Sequence, residues 1–238
     1  MYISENSKVK ILDCTLRDGG YYNNWSFNKK FINNYLRTIS KTKIRYVELG
    51  FRLPKQKKFL GNTAYTTDKL LSKLLIPRSI NIGVMINAGD FVKNFKADLH
   101  LCKKIFINFR KIKFVRIACH SYEIPYIQNI LKWFKKKKIK TIVNLMQISE
   151  IHQNQIKKIS KILMTNGVDV MYVADSLGSL NSNKIKIIIK ILKKYWHKDL
   201  GIHLHDNLGL AKNNAINSII AGVNWIDSTI LGMGRGAG

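Results

Sequence analysis

The sequence is poor in cysteine, proline and acidic residues, and it has no long apolar run. Its three cysteines, Cys14, Cys102 and Cys119, are odd in number and form no Cys-x-x-Cys pair, which argues against a disulfide scaffold and favours a reducing compartment. Three prolines and no low-complexity spacer give no sign of a linker, so residues 1–238 are predicted to form a single domain. No stretch approaches the roughly 18 apolar residues of a membrane helix, and the N-terminal segment lacks a signal-peptide core. A cytoplasmic protein without a membrane span is predicted.

Basic residues outnumber acidic ones by 41 to 14, which gives a formal net charge of +27. Such a charge is typical of proteins that bind nucleic acid or another polyanion. The alternative is a composition bias, because lysine is abundant together with isoleucine and asparagine. Stretches such as Lys184 to Lys194 alternate lysine with apolar residues, as the solvated side of an amphipathic helix does. We favour the second interpretation, and nucleic acid is not the expected partner.

The few acidic residues are concentrated at or just beyond the C-terminal ends of predicted strands. Those at such positions are Asp18, Glu48, Asp90, Asp175 and Asp206. Carboxylates at these positions in a lysine-rich chain favour a cation-binding site at the C-terminal ends of the strands. The alternative is that aspartate is common in turns and at helix N-termini for purely local reasons.

Eight apolar runs of strand character alternate with segments of helical periodicity. The predicted strands cover residues 9–15, 44–51, 81–87, 113–119, 140–146, 168–174, 200–205 and 225–231. The predicted helices cover residues 28–41, 67–75, 91–94, 99–107, 123–138, 148–166, 183–196 and 208–221. The alternation predicts an α/β protein with the (β/α)8 TIM-barrel fold, whose sites lie at the C-terminal ends of the strands. A doubly wound sheet is the second choice, because no Gly-x-Gly-x-x-Gly follows the first strand.

The sequence stops at Gly238, directly after the eighth predicted strand. The barrel is therefore expected to lack its final helix, which leaves the outer face of that strand uncovered. Either the sequence is truncated here, or a second copy of the chain, in a homo-oligomer, or another partner covers this apolar surface.

Two motifs at opposite ends of the chain predict one metal site. They are ILDCTLRDGG at residues 11–20 and GIHLHDN at residues 201–207. His203 and His205 are two residues apart on a strand, so their side chains point to the same face. Asp18, after the first strand, adds an oxygen ligand, and three protein ligands with open positions are typical of catalytic metal sites. Arg17 beside the ion suits an oxygen that becomes negatively charged during the reaction.

Each half of this pattern also has an ordinary interpretation. An isolated His-x-His on a strand is more often core or surface than a ligand pair, and an isolated Arg-Asp-Gly is more often a surface turn. Order and context favour the metal site, because the motifs close the first and seventh strands of one repeating fold. His120, at the end of the fourth predicted strand, is a further candidate proton donor or acceptor, although such a histidine is more often polar surface.

Residues 52–65 form a long basic loop that contains Lys55, Lys57 and Lys58. Long loops in compact domains are often functional, so this one is a candidate for binding the anionic part of a substrate. A solvated, mobile insertion explains the same composition equally well.

The motifs resemble those of the DRE-TIM metallolyases, the superfamily that includes 4-hydroxy-2-oxovalerate aldolase, hydroxymethylglutaryl-CoA lyase and the isopropylmalate synthases. The similarity rests on Asp-x-Thr-Leu-Arg-Asp-Gly at residues 13–19, His-x-His-Asp-Asn at 203–207 and Gly-x-Gly-x-Gly-x-Gly at 232–238. It spans essentially the whole chain and is greatest for the aldolase-like members.

The resemblance implies that Asp18, His203 and His205 bind a divalent ion, usually Mn²⁺ or Mg²⁺, which a 2-oxo acid chelates. It implies that Arg17 stabilises the enolate at this metal and that Glu48 is an acid beside Arg17. Aldolases of this type carry a histidine base three residues beyond the metal aspartate, where this sequence has Tyr21. Because phenols ionise at about pH 10, Tyr21 is a weak base unless perturbed, and His120 is the substitute.

Three functions follow as hypotheses. The first is a metal-dependent lyase that cleaves a 4-hydroxy-2-oxo acid by a retro-aldol reaction to pyruvate and an aldehyde. The second is a Claisen-type acyltransferase that condenses acetyl-CoA with a 2-oxo acid, as the isopropylmalate synthases do. The third is a basic barrel without catalytic activity that binds a polyanion. Because the metal motif is complete, we favour the lyase.

Overall fold

The computed structural model describes residues 9–109 and 111–235. In this part of the chain, eight parallel strands close into a barrel with helices between them, which confirms the predicted TIM barrel. The barrel strands are β1 (Lys10–Asp13), β2 (Tyr46–Phe51), β3 (Asn81–Asn87), β6 (Ile112–Cys119), β7 (Lys140–Leu145), β8 (Val170–Asp175), β9 (Asp199–Leu204) and β10 (Trp225–Ser228). The barrel closes where β1 pairs with β10, with Lys10 opposite Trp225 and Asp13 opposite Ser228.

A two-stranded antiparallel hairpin, β4 (Val92–Lys93) and β5 (Lys96–Ala97), is inserted after β3. The described helices are α1 (Thr15–Asp18), α2 (Lys29–Ser40), α3 (Asn62–Tyr65), α4 (Asp68–Lys73), α5 (Leu99–Ile105), α6 (Gln128–Lys136), α7 (Gln153–Thr165), α8 (Ser182–Tyr195) and α9 (Ala211–Ile220). No helix in the described ranges is long and apolar enough to cross a membrane.

Large aromatic side chains fill the barrel interior because glycines stand opposite them. A Cβ on Gly201 of β9 would lie 2.3 Å from the ring of Tyr172, and one on Gly83 of β3 would lie 2.0 Å from the ring of Phe114. Trp225 packs with these two rings in the same fully buried cluster. The interior below the strand C-terminal ends is therefore a packed core, which leaves only the mouth for a site.

The helices cover the outer faces of the strands as their apolar spacing predicts. In α2, the buried residues Ile32, Leu36 and Ile39 recur at helical spacing. Outward-facing strand residues such as Val47 and Val84 join them in one continuous hydrophobic cluster. This outer layer holds the strand ends in fixed positions.

Several predicted elements differ from the structure in type or in their ends, and three of these differences have a clear local reason. Residues 91–94 form part of the β4–β5 hairpin instead of a helix, because Asn94 and Phe95 both have positive φ, as a two-residue hairpin turn requires. The helix predicted from residue 148 begins at Gln153, where His152 and Gln155 form a capping box. Strand β10 ends at Ser228, since Leu231 has a φ of 55° in the turn that follows.

The outer faces of β1 and β10 carry exposed apolar residues. Ile11 is 42% exposed, and Ile226 on the neighbouring strand is partly buried beside the hydrophobic cluster. A cavity of about 310 Å³ extends from this surface, past Ala211 and Ala215 of α9, to the mouth of the barrel. The outer faces of β1 and β10 are therefore only partly covered by the described residues, and a partner on this surface stays a prediction.

Candidate functional site

Asp18 and His203 meet at the C-terminal mouth of the barrel, although 185 positions of sequence separate them. Asp18 ends the short helix α1, and His203 points inward from β9. The Oδ2 atom of Asp18 lies 3.6 Å from Nε2 of His203. This distance is long for a hydrogen bond but allows both atoms to bind one ion.

The other ring nitrogen of His203 is held by a buried carboxylate. Nδ1 of His203 lies 2.7 Å from Oδ2 of Asp227 on β10. Burial opposes charge on Asp227, but Arg116 and His203 outweigh it and lower its pKa to about 2. Asp227 is therefore a carboxylate at neutral pH and accepts a hydrogen bond from Nδ1–H, which leaves the lone pair of Nε2 directed towards Asp18. A carboxylate behind a histidine in this way is typical of metal ligands.

His205 lies beside His203 on the same face of the chain, as the two-residue spacing predicts. The ring centroids are 5.1 Å apart and the rings are inclined by 77°. Both histidines and Asp18 line the same two cavities at the barrel mouth. The three predicted metal ligands are thus brought together, and their mixed nitrogen and oxygen donors suit Mn²⁺ or a similar divalent ion.

Cys14 and Asp227 are the other possible ligands near His203 among the described residues. The Sγ atom of Cys14 lies within 4.8 Å of ligand atoms of His203 and Asp227. Burial, followed by the charges of Asp227 and Asp18, raises the pKa of this thiol well above its usual value. Because a thiol binds metal as the thiolate, the donors Asp18, His203 and His205 fit an ion better.

Arg17 is enclosed by acidic partners. Its Nε donates to Oε2 of Glu48 at 2.7 Å, and its Nη1 pairs with Oδ1 of Asp18. Burial disfavours charge on Arg17, but Asp18 and Glu48 raise its pKa well above the usual value, so it stays a cation. Its Nη2 has no hydrogen-bond partner among the described residues, although it is buried. This N–H group is available to a bound oxygen.

A second buried arginine links Glu48 to Asp227. Nη1 of Arg116, on β6, lies 3.4 Å from Oε2 of Glu48. Nη2 of the same side chain donates to Oδ2 of Asp227 at 2.8 Å. Its guanidinium stacks over Tyr172, 4.4 Å from the ring centroid. The chain Arg17–Glu48–Arg116–Asp227 therefore crosses the barrel mouth and fixes Arg17 relative to His203.

The paired glycines of the first motif make room for a tryptophan behind Arg17. A Cβ on Gly20 would lie 2.0 Å from the Trp25 ring. Trp25 donates from Nε1 to the carbonyl oxygen of Arg17 at 2.8 Å. Tyr21, which is 44% exposed, packs edge-on against Trp25 with the ring centroids 4.8 Å apart. Tyr21 thus lies at the entrance beside Arg17.

The cavity enclosed by these groups has a volume of about 80 Å³. It is too small for a large ligand but suits a short oxo acid. Its polar lining residues are Arg17, Asp18, Tyr21, Asn87, Asn144, Ser176, His203, His205 and Arg235. Oδ1 of Asn144 is buried without a hydrogen-bond partner among the described residues, so it can accept from a ligand.

The remaining strand-end acids serve local structure. Asp175 accepts from the backbone N–H groups of Ser179 and Leu180, and Asp206 accepts from that of Ala211. These contacts agree with the local interpretation of aspartate in turns and at helix starts. Only Asp18 and Glu48 of the five strand-end acids take part in the site network described above.

His120 is not brought to the site. It lines neither mouth cavity, and its ring stacks on Tyr122 with the centroids 5.3 Å apart. Its backbone N–H donates to Glu123 at 2.7 Å. A catalytic role for His120 stays a prediction that its position does not favour.

Sequence reasoning missed Asp227 and Arg116, which orient His203 and Glu48. Each is a charged residue inside an otherwise apolar strand, WIDS and KFVRIAC. A buried strand accommodates such a residue only when a charged partner faces it. The sequence shows these charges inside predicted strands, but it does not show which residues pair with them, because the partners lie on different strands.

A sequence profile of the HMGL-like family matches residues 8–238. The chain belongs to the HMGL-like family. This membership confirms the resemblance to the DRE-TIM metallolyases. With aldolases and lyases among its relatives, this HMGL-like protein is an enzyme of the lyase type.

The relatives of this HMGL-like chain include named enzymes. It is 26% identical to the 4-hydroxy-2-oxovalerate aldolase of Carboxydothermus hydrogenoformans, over 97% of this chain and 67% of that enzyme. It is 21% identical to the oxaloacetate decarboxylase of Mycobacterium tuberculosis, over 96% of this chain and 66% of that enzyme. The chain thus spans about two thirds of the length of these relatives.

Solved structures share the fold. The N-terminal domain of a candidate aldolase from Bacteroides vulgatus is 32% identical with a TM-score of 0.85, over 97% of this chain and 75% of that chain. The HMG-CoA lyase of Bacillus subtilis has a TM-score of 0.77 at 14% identity, over 96% of this chain and 78% of that chain. The second likeness concerns the fold alone.

Proposed function

We propose that this chain is a divalent-metal-dependent carbon–carbon lyase that cleaves a 4-hydroxy-2-oxo acid to pyruvate and an aldehyde. The observation that carries the proposal is the approach of Asp18 and His203 beside a buried Arg17 with an unpartnered N–H group, with His205 lining the same cavities. Relatives named as aldolases support this reaction class. Asp18, His203 and His205 would hold Mn²⁺ or Mg²⁺, which supplies a positive charge that binds and polarises the oxygens of a 2-oxo acid.

Arg17 has the position and charge to stabilise the enolate. Glu48 and Asp18 hold two of its donor atoms in place. Nη2 is therefore already oriented towards the substrate position before the substrate binds. A donor prearranged in this way is worth more to a developing oxyanion than one that must reorient. Glu48 is a positioning residue in this proposal, because it acts through Arg17.

The reaction moves one proton from oxygen to carbon. The 4-hydroxyl proton leaves as the C3–C4 bond breaks, and the electron pair of that bond forms the enolate of pyruvate. A proton then returns to C3 to give pyruvate. Tyr21 lies at the entrance beside Arg17, and we assign to its neutral hydroxyl group a relay in which it accepts the 4-hydroxyl proton and gives its own proton to C3, so that the hydroxyl group ends the reaction as it began.

The first test measures metal and product together. Purified protein is analysed for bound divalent ions and then given Mn²⁺ and a panel of 4-hydroxy-2-oxo acids, with pyruvate detected by its reduction to lactate. We expect one ion per chain and metal-dependent pyruvate release. Protein that binds no ion, or that binds an ion without cleaving any member of the panel, would contradict the proposal.

Two variants test the assigned roles. Arg17→Ala should lower kcat roughly a hundredfold or more, as losing a prearranged oxyanion donor does, while metal binding is largely kept. Tyr21→Phe, which keeps the ring packed on Trp25, should lower kcat and alter its pH profile. Loss of metal binding in the alanine variant would show that Arg17 supports Asp18 instead of the reaction.

The same panel separates the alternatives. Oxaloacetate belongs in it, since a relative is named an oxaloacetate decarboxylase and decarboxylation passes through the same enolate. Thiol release from acetyl-CoA with a 2-oxo acid would favour the acyltransferase. We further propose that residues 1–238 act as one domain on a small-molecule 2-oxo acid in the cytoplasm, where the three buried free cysteines stay reduced.

A further inference from the structure

A second cavity lies on the outer wall of the barrel, between the start of α4 and the end of α5. Its volume is about 470 Å³, larger than either cavity at the mouth, and it shares no lining residue with them. Small-molecule sites typically have volumes of about 300–1,000 Å³. The cavity is therefore large enough for a ligand and separate from the proposed lyase site.

The floor of this cavity is a rigid, buried arginine. Arg52 is only 1% exposed and follows β2 directly. One of its terminal nitrogens pairs with Asp68, the other donates to the carbonyl oxygen of Asn108 at 3.4 Å, and its guanidinium lies 4.8 Å from the ring centroid of Phe106. These contacts fix the floor before any ligand arrives.

The rim of the cavity has an excess of positive charge. Lys55, Lys69 and Lys104 line it together with Arg52, whereas Asp68 is its only acidic lining residue and already pairs with Arg52. The three lysines are all exposed and have no carboxylate in the lining left to pair with. Such a rim attracts a ligand with more than one negative charge.

The walls are apolar, which distinguishes these lysines from those on open helix faces. Leu53, Tyr65, Ile105 and Ile107 line the cavity, and Ile107 is 82% exposed. An exposed isoleucine at the edge of a concave surface gains from contact with an apolar or planar group. A free inorganic ion would leave this surface uncovered.

We propose that this cavity binds a small organic phosphate with a planar or apolar body, of about the size of a mononucleotide. The phosphate lies at the lysine rim, and the body packs against Leu53, Tyr65 and Ile107. The basic loop singled out in the sequence contributes Lys55 to this outer site, and Lys55 lines neither cavity at the barrel mouth.

The test is binding of AMP to the whole chain, measured by isothermal titration calorimetry, with adenosine and inorganic phosphate as the two partial probes. We expect saturable binding of one AMP per chain, and at least roughly tenfold weaker binding of either partial probe. The double variant Lys69→Glu, Lys104→Glu should weaken AMP binding roughly tenfold or more, since two charge contacts become repulsive.

The matched control is Lys157→Glu, Lys161→Glu, which makes the same change of charge on exposed positions of α7. It should leave AMP binding within about twofold of the original chain. Equal weakening in both double variants would identify a diffuse polycation effect and overturn the proposal. Absence of saturable binding at millimolar AMP, or phosphate binding as tight as AMP binding, would overturn it as well.

Discussion

Asp227→Asn is the substitution that most directly tests how the site is built. The side chain keeps its size but loses its negative charge. In the structure, Oδ2 of Asp227 accepts from Arg116 at 2.8 Å and from His203 at 2.7 Å. If the amide oxygen takes the place of Oδ2, both hydrogen bonds are kept, and the NH2 group takes the place of Oδ1, which has no hydrogen-bond partner among the described residues. The neutral oxygen is a weaker acceptor than the carboxylate, so it holds the proton on Nδ1 less strongly and leaves Nε2, the atom directed at Asp18, less basic.

The magnitude follows from these contacts. A buried charge left without its partner costs about 3–5 kcal/mol, and the amide oxygen recovers part of this through its hydrogen bonds from Arg116 and His203. We therefore expect a loss of about 2–3 kcal/mol of unfolding free energy. Because Nε2 of His203 loses the support of the carboxylate behind the ring, Mn²⁺ affinity should fall roughly 10–100-fold.

The assay combines urea unfolding, Mn²⁺ titration and the nitrogen NMR shifts of His203, which report the tautomer. The original chain should carry its proton on Nδ1, and the asparagine variant should show a weaker preference for that tautomer. If the variant binds Mn²⁺ as tightly as the original chain, Asp227 does not support Nε2 of His203 as a metal ligand. If stability is also unchanged, the buried charge network does not contribute as the distances suggest.

Three further substitutions extend the test to the rest of the barrel. Burial opposes charge on Asp199, but hydrogen bonds from Lys10 and Trp225 outweigh it and lower the pKa of this carboxyl group. Asp199→Asn should therefore lower the free energy of unfolding by about 1 kcal/mol at pH 7. Because the folded-state pKa is lowered, that difference is fully present above the unfolded value and should shrink progressively as urea unfolding is repeated from about pH 4 downwards. Gly201→Ala places a methyl group 2.3 Å from the Tyr172 ring and should cost about 1–3 kcal/mol, seen as a lower Tm; an unchanged Tm would mean that the ring moves freely. Trp25→Phe removes the 2.8 Å bond to the backbone of Arg17 and should lower kcat more than it changes metal affinity, whereas equal losses would assign Trp25 to folding alone.

Sequence reasoning reached the barrel because strand and helix periodicities are local. The inward face of β9 could be predicted from the spacing of His203 and His205 alone. The hairpin at residues 92–97 could not, because its turn depends on positive φ at Asn94 and Phe95, which are not glycines. Boundaries at such positions depend on the backbone geometry of individual residues that composition does not reveal.

The ligand triad could be predicted, but its supporting contacts could not. Asp18 and the histidines belong to recognisable motifs, whereas Asp227 and Arg116 act through contacts between strands that are distant in sequence. Tyr21 was singled out by its position after Asp18, and it lines the mouth cavity. His120 was chosen by the same strand-end rule, but its ring faces Tyr122 outside the cavity.

The charge network at the mouth has a consequence for the order of binding. Two guanidinium groups, Arg17 and Arg116, and three carboxylates, Asp18, Glu48 and Asp227, give it one net negative charge. In that state it repels a carboxylate substrate. A divalent cation reverses the sign to one net positive charge, which a monoanionic 2-oxo acid neutralises. The network thus favours the ion first and the acid second, and Arg235, which lines the same cavity outside the network, adds a further positive charge for the acid.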